Sequence, residues 1–342
     1  MRWAPARPGE RSPSRRFRIT AIAAVVSTYL LVVAGGVVRV TGSGLGCGVK
    51  GQDWPFCHGH LVPPADTATL IEFSHRSLAT ISTILVCTVA LWAWVAYRHL
   101  PRVVGAATAV VGLLIVQILL GAITVELRLP GGIVLVHLAN ALLLLGVLIA
   151  AVVACYAPSS RGEAPPPLSD RQRSAARQMA IAAGATYLLV LSGGVVVASG
   201  AGYACSGWPL CGNGLQLSAS HLATVNLLHR GVAGVVALFL GWTVSRVIAA
   251  FKGTRSIRLA AMAVNVALLL QIVAGAVLVE LHLPPAARGV HEAMASMLWA
   301  TAALLALMVR PGALRLGSPA HRADGAGAAP RISTGRPEAV VS

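Results

Sequence analysis

Five consecutive residues, Glu72-Phe73-Ser74-His75-Arg76, place an acid, a metal-ligand candidate and a cation at the start of a long apolar run. An ionisable group carried into hydrocarbon costs about 3 kcal/mol unless it is paired or used, so each is a candidate for function. A second copy stands at Asn226-Leu227-Leu228-His229-Arg230, and there an amide replaces the acid. Two further histidines, His137 and His291, lie about one and a half turns inside later apolar runs. Imidazole is the commonest metal ligand, and paired axial imidazoles on facing helices can hold a heme iron. A lone intramembrane histidine is explained as well by a helix cap or a neighbour's hydrogen bond. That reading fits two matched pairs poorly.

Glu72 lies one turn before His75 and shares its helix face. A carboxylate beside a porphyrin edge can take up a proton or stabilise developing positive charge. It can also simply partner Arg76. Asn226 can do neither job, which makes the first half the reactive one. Arg76 and Arg230 follow the ligand candidates directly and call for an anion. Heme propionates would serve, as would lipid phosphate. The cysteines Cys47 and Cys57, and Cys205 and Cys211, form one pair per outer loop, suited to a structural disulfide or, alternatively, to a redox relay. Cys57-His58-Gly59-His60 suggests a copper or zinc site, but nothing matches it in the second loop. Cys87 and Cys155 read as inert core.

The elements that must position these groups are membrane helices. Hydrophobic residues make up 56% of the chain and charged ones 11%, with a mean hydropathy of +0.75, too apolar for a soluble domain. Runs able to cross roughly 30 Å of hydrocarbon lie near 19–38, 70–97, 103–126, 133–156, 179–198, 224–249, 259–280 and 290–309. The outer loops hold only Arg39, Lys50, Arg76, Arg128, Arg230 and Arg288, while the other side holds most of the Lys and Arg. Both termini are therefore expected in the cytoplasm of a bacterium, with the chain in its plasma membrane. The net charge of +16 reflects that bias and contact with anionic membrane lipid. No nucleic-acid module accompanies it.

The chain repeats itself. From Trp54-Pro55 and Trp208-Pro209 onward, matched residues stand 154 positions apart, including His75/His229, Gln117/Gln271 and His137/His291. Upstream, Gly35-Gly36 and Gly193-Gly194 stand 158 apart. Four crossings separate the copies, so they share an orientation, as in parallel-repeat membrane proteins. The expected fold is an all-α integral membrane protein of eight transmembrane helices, arranged as two pseudo-symmetric four-helix bundles. The expected divisions are a basic arm (1–18), a first bundle (19–156) for the substrate heme, and a Pro-rich linker (157–178). A second bundle (179–310) for a cofactor heme and a disordered cytoplasmic tail (311–342) follow.

Together, Glu72-x-x-His75-Arg76, Asn226-x-x-His229-Arg230, the Trp-Pro-x-Cys loops and the two later histidines resemble the heme A synthase family over about residues 18–310. The resemblance implies oxidation of the C8 methyl group of heme O to a formyl group, giving heme A for cytochrome oxidases. Carried over by position, His75 and His137 would hold the substrate heme O and Glu72 would be catalytic. By the same carry-over His229 and His291 would ligate a heme b cofactor. The family's outer loops bear disulfides, which matches Cys47-Cys57 and Cys205-Cys211, the first pair being more widely spaced. Partners would be the heme O-forming farnesyltransferase, oxidase assembly factors and further copies of the chain. The rivals are a diheme membrane cytochrome b linked to quinone and a non-catalytic heme carrier. Neither requires a carboxylate in one half only.

Overall fold

The computed structural model describes residues 12–48, 57–60, 63, 65–156, 167–211 and 220–311. The tail and most of the basic arm, and with them Trp54-Pro55 and the Pro-rich centre of the linker, lie outside the described residues. Eight helices long and apolar enough to cross a membrane follow one another: α1 (Arg15–Val40), α2 (Thr67–Ala96), α3 (Pro101–Glu126), α4 (Gly131–Ala154), α5 (Asp170–Ala198), α6 (His221–Ala250), α7 (Arg255–Glu280) and α8 (Pro285–Val309). Among the described residues the only strand-like pairing is an isolated bridge between Cys57 and His60.

Local chemistry sets the helix ends. Ser14, Asp66, Ser169 and Ser220 each accept a backbone N–H three residues on, capping α1, α2, α5 and α6. At Ser169 the cap is reciprocal, because the Gln172 side chain accepts the Ser169 N–H. That capping box starts α5 at Asp170, nine residues before the apolar run that predicts its crossing. Proline opens α3 and α8 where its missing N–H costs nothing. The α3–α4 and α7–α8 turns are copies of each other. Arg128 and Leu129, like His282 and Leu283, take left-handed backbone angles, φ 59°, 64°, 61° and 62°. Each turn closes by a backbone bond, Leu129 N–H to Thr124 (2.8 Å) and Leu283 N–H to Leu278 (2.9 Å).

The helices pack as two closed rings, α1-α2-α3-α4 and α5-α6-α7-α8, joined along α1, α4, α5 and α8. Buried apolar clusters fill the end of each ring remote from the histidines: Phe17, Val86, Val110 and Leu148 in the first, Met179, Leu240, Val264 and Leu305 in the second. Outward residues such as Leu238 and Val235 are exposed and apolar, as suits a lipid-facing surface. Tyr29 of α1 donates to the Ala293 carbonyl of α8 (3.2 Å), and Tyr187 of α5 donates to the Ala139 carbonyl of α4 (3.1 Å). The repeat matches these four residues in pairs, so the bonds are related by the pseudo-twofold axis.

One seam breaks that symmetry. Arg39 of α1 forms an ion pair with Glu292 of α8, against Gly36, where an added Cβ would sit 3.2 Å from the Glu292 carboxyl carbon. At the matched positions of the other seam stand Val197 and Leu138. The pair is mostly buried, so Glu292→Leu alone leaves Arg39 uncompensated and should cost about 2 kcal/mol after allowing for its partial exposure. Adding Arg39→Val copies the apolar seam and should recover most of that loss. Thermal unfolding of the detergent-purified variants checks the pattern; equal cost for single and double variants would contradict it.

Candidate functional site

His75 (α2) and His137 (α4) lie within electrostatic reach of one another in the first ring, as do His229 (α6) and His291 (α8) in the second. Each imidazole rests on a glycine of the preceding helix. A Cβ added at Gly35 or Gly121 would lie 3.3 Å from Cε1 of His75 or His137. At Gly193 and Gly275 the corresponding distances to His229 and His291 are 3.2 and 3.1 Å. The repeat pairs Gly35 with Gly193 and Gly121 with Gly275, so all four seats are built the same way. A glycine within an apolar run ordinarily reads as helix packing; only its fixed offset to the histidines signals the seat.

Polar neighbours hold the rings from the side. Gln117 Nε2 lies 3.2 Å from His137 Nε2, and its Oε1 accepts from Asn140 Nδ2 (2.7 Å), which also reaches the Leu113 carbonyl (3.0 Å). Gln271 Nε2 sits 3.3 Å from both ring nitrogens of His291. Ser192 Oγ lies 2.7 Å from His229 Nδ1. In the first ring Nδ1 of His75 and of His137 is buried without a hydrogen-bond partner. Paired imidazoles on matched glycine seats fit heme ligation in each ring.

Glu72 is 3% exposed. Its Oε2 accepts the Cys47 backbone N–H (2.8 Å), and its Oε1 accepts Arg76 Nη2 (2.5 Å) and Nε (3.1 Å). The partnership with Arg76 weighed on the sequence alone is therefore present. The Cys47–Cys57 disulfide forms in the loop above, and Thr69 Oγ1 donates to the Gly46 carbonyl (2.7 Å). An added Cβ at Gly46 would lie 2.6 Å from the Ala68 backbone, so only glycine lets the loop approach α2 this closely.

The second half makes the same attachment with other chemistry. Asn226 Nδ2 donates to the Ala201 carbonyl (2.9 Å), and its Oδ1 accepts Arg230 Nε (2.7 Å). Arg230 also donates to the carbonyls of Gly207 (2.6 Å) and Cys205 (3.0 Å), inside the loop that the Cys205–Cys211 disulfide closes. Both arginines thus have protein partners, and those of Arg230 are ones the sequence did not show. Cys57 is committed to its disulfide, and the His58 ring Nε2 lies 2.8 Å from the Gly46 carbonyl. The Cys57–His60 stretch therefore lacks a thiolate for copper or zinc. Cys155 is buried as expected; Cys87 instead faces out of the bundle, where an apolar exterior tolerates a thiol as well as a core does.

The family model of COX15-CtaA, the cytochrome oxidase assembly proteins, matches residues 18–303. The chain belongs to this family. Its relatives include a heme A synthase of Shouchella clausii, 32% identical over 254 residues, or 72% of this chain and 80% of the relative. Another, from Exiguobacterium sp., is 31% identical over 61% of this chain and 66% of its own length. The heme A synthase of Lysinibacillus sphaericus is 25% identical across 86% of this chain and 96% of the relative. For this COX15-CtaA member the glycine seats make a sharp test. Gly193→Ala or Gly275→Ala should push its imidazole aside by a few tenths of an ångström and weaken heme ligation about tenfold, the low end of what outer supports of a ligand contribute. Heme content of the purified variants, read by absorbance against protein, checks this; wild-type content would remove the seat's importance.

Proposed function

We propose that this protein makes heme A for cytochrome oxidases by oxidising the C8 methyl group of heme O to a formyl group. The observation that carries the reading is a duplicated pair of histidine-bearing helices in which only the first half places a buried carboxylate one turn before its first histidine. In this reading heme O is held by His75 and His137, and a resident heme b by His229 and His291. When bound, heme b supplies one-electron redox chemistry. Glu72, buried one turn from His75, takes up a proton released from the oxidised carbon and offsets positive charge developing on the macrocycle. Arg76 and the Cys47 N–H hold that carboxylate in place. The two disulfides tie down outer-loop residues that are stitched to α2 and α6. Arg76 and Arg230, each next to a ligand histidine, are suited to draw propionates toward the outer surface by charge.

The Lys/Arg distribution supports a plasma-membrane placement with both termini in the cytoplasm and the disulfides outside. A heme O-forming farnesyltransferase would supply the substrate. A diheme cytochrome b or a carrier would need no carboxylate confined to one half. To test the function, the chain is expressed in cells that accumulate heme O and lack any enzyme that consumes it. Heme A in the extracted pigments is the expected result; heme O alone, with the protein folded in the membrane, would overturn the proposal.

A further inference from the structure

The two halves differ at one atom beside a histidine. Ser192 Oγ in α5 lies 2.7 Å from the Leu189 carbonyl oxygen and 2.7 Å from His229 Nδ1. A hydroxyl has one proton to give. Two oxygens this close repel unless that proton lies between them, so Ser192 donates to Leu189 and accepts from the imidazole. His229 therefore carries its proton on Nδ1, and its Nε2 keeps a free lone pair. The residue matched to Ser192 by the 158-residue offset is Ala34 in α1. There His75 Nδ1 is buried with no hydrogen-bond partner. Both rings sit on matched glycines, Gly35 and Gly193, so the hydroxyl distinguishes two otherwise parallel seats.

A ligand imidazole whose outer N–H is bonded is fixed in tautomer and orientation and is a stronger base toward a metal. We propose that Ser192 is a positioning residue that makes the second-half site retain its heme. Ala34 leaves His75 a weaker, releasable ligand, as a site that must take in substrate and let product go requires. The proposal rests on the histidine pairs being heme ligands and assigns each half its rate of exchange.

The test uses full-length detergent-purified protein mixed with an excess of a heme-scavenging apoprotein, with heme transfer followed by absorbance. Ser192→Ala should speed loss of heme b about tenfold, and Ser192→Thr, which keeps the hydroxyl, should stay near the wild-type rate. Ala34→Ser, in protein loaded with heme O, should slow release from the first half by a similar factor. The last variant adds a contact rather than removing one, so it decides the matter even if Ser192→Ala does not fold. Unchanged release rates in Ala34→Ser, or in a folded Ser192→Ala, overturn the proposal. If instead the heme content of the protein is indifferent to His229→Ala, the ligand reading beneath it fails.

Discussion

Glu72→Gln should lower conversion of heme O at least about tenfold while leaving heme binding nearly intact, near the low end of acid–base contributions. The amide keeps the size of the side chain but loses the charge and the proton affinity. It also offers only one acceptor oxygen to the two donors that Glu72 satisfies, the Cys47 N–H and Arg76. If Glu72 only anchors the outer loop, the variant loosens Cys47–Cys57 toward added reductant, while heme A falls no more than the amount of folded protein does. If it is catalytic, heme A falls in protein that is still folded and loaded. A hydroxylated intermediate accumulates if the carboxylate also serves the second oxidation. Asn226→Glu should not make the second half reactive, and it also breaks the amide's bond to the Ala201 carbonyl. Wild-type yield of heme A from Glu72→Gln would falsify the catalytic role.

The histidine pairs should fail in different ways. His229→Ala or His291→Ala is expected to remove the resident heme b and lower the unfolding temperature, because the ring loses a ligand that binds only its folded state. His75→Ala or His137→Ala is expected to abolish heme A formation while heme b stays in place. Spectra of the four purified variants and their unfolding curves separate the outcomes. Equal loss of resident heme from all four contradicts the division between halves.

Much of this was legible from spacing. A duplicated apolar chain announces eight crossings, and a constant offset aligns its histidines whatever the loops do. Helix ends were less legible: α5 starts at a capping box that outweighs a polar, charged stretch. The Arg39–Glu292 pair joins residues 253 positions apart at non-repeating sites, so no periodicity marks it. Glu72 stands four residues before Arg76, so that partnership is legible, but sequence cannot show the outer loop folding back over α6 to meet Arg230. The protein supplies those partners itself, a carboxylate in one half and carbonyls in the other. The glycine seats and the Ser192/Ala34 difference were visible as letters, but only the packed structure shows that they face the histidines.

The proposed function requires two parallel heme sites in one chain to do different work. The most direct measurement is chromatography of the hemes extracted from the wild-type protein, purified from cells able to make heme O. Heme b together with heme O or heme A is the expected result. Heme b alone would contradict it and leave an electron-transfer cytochrome in its place.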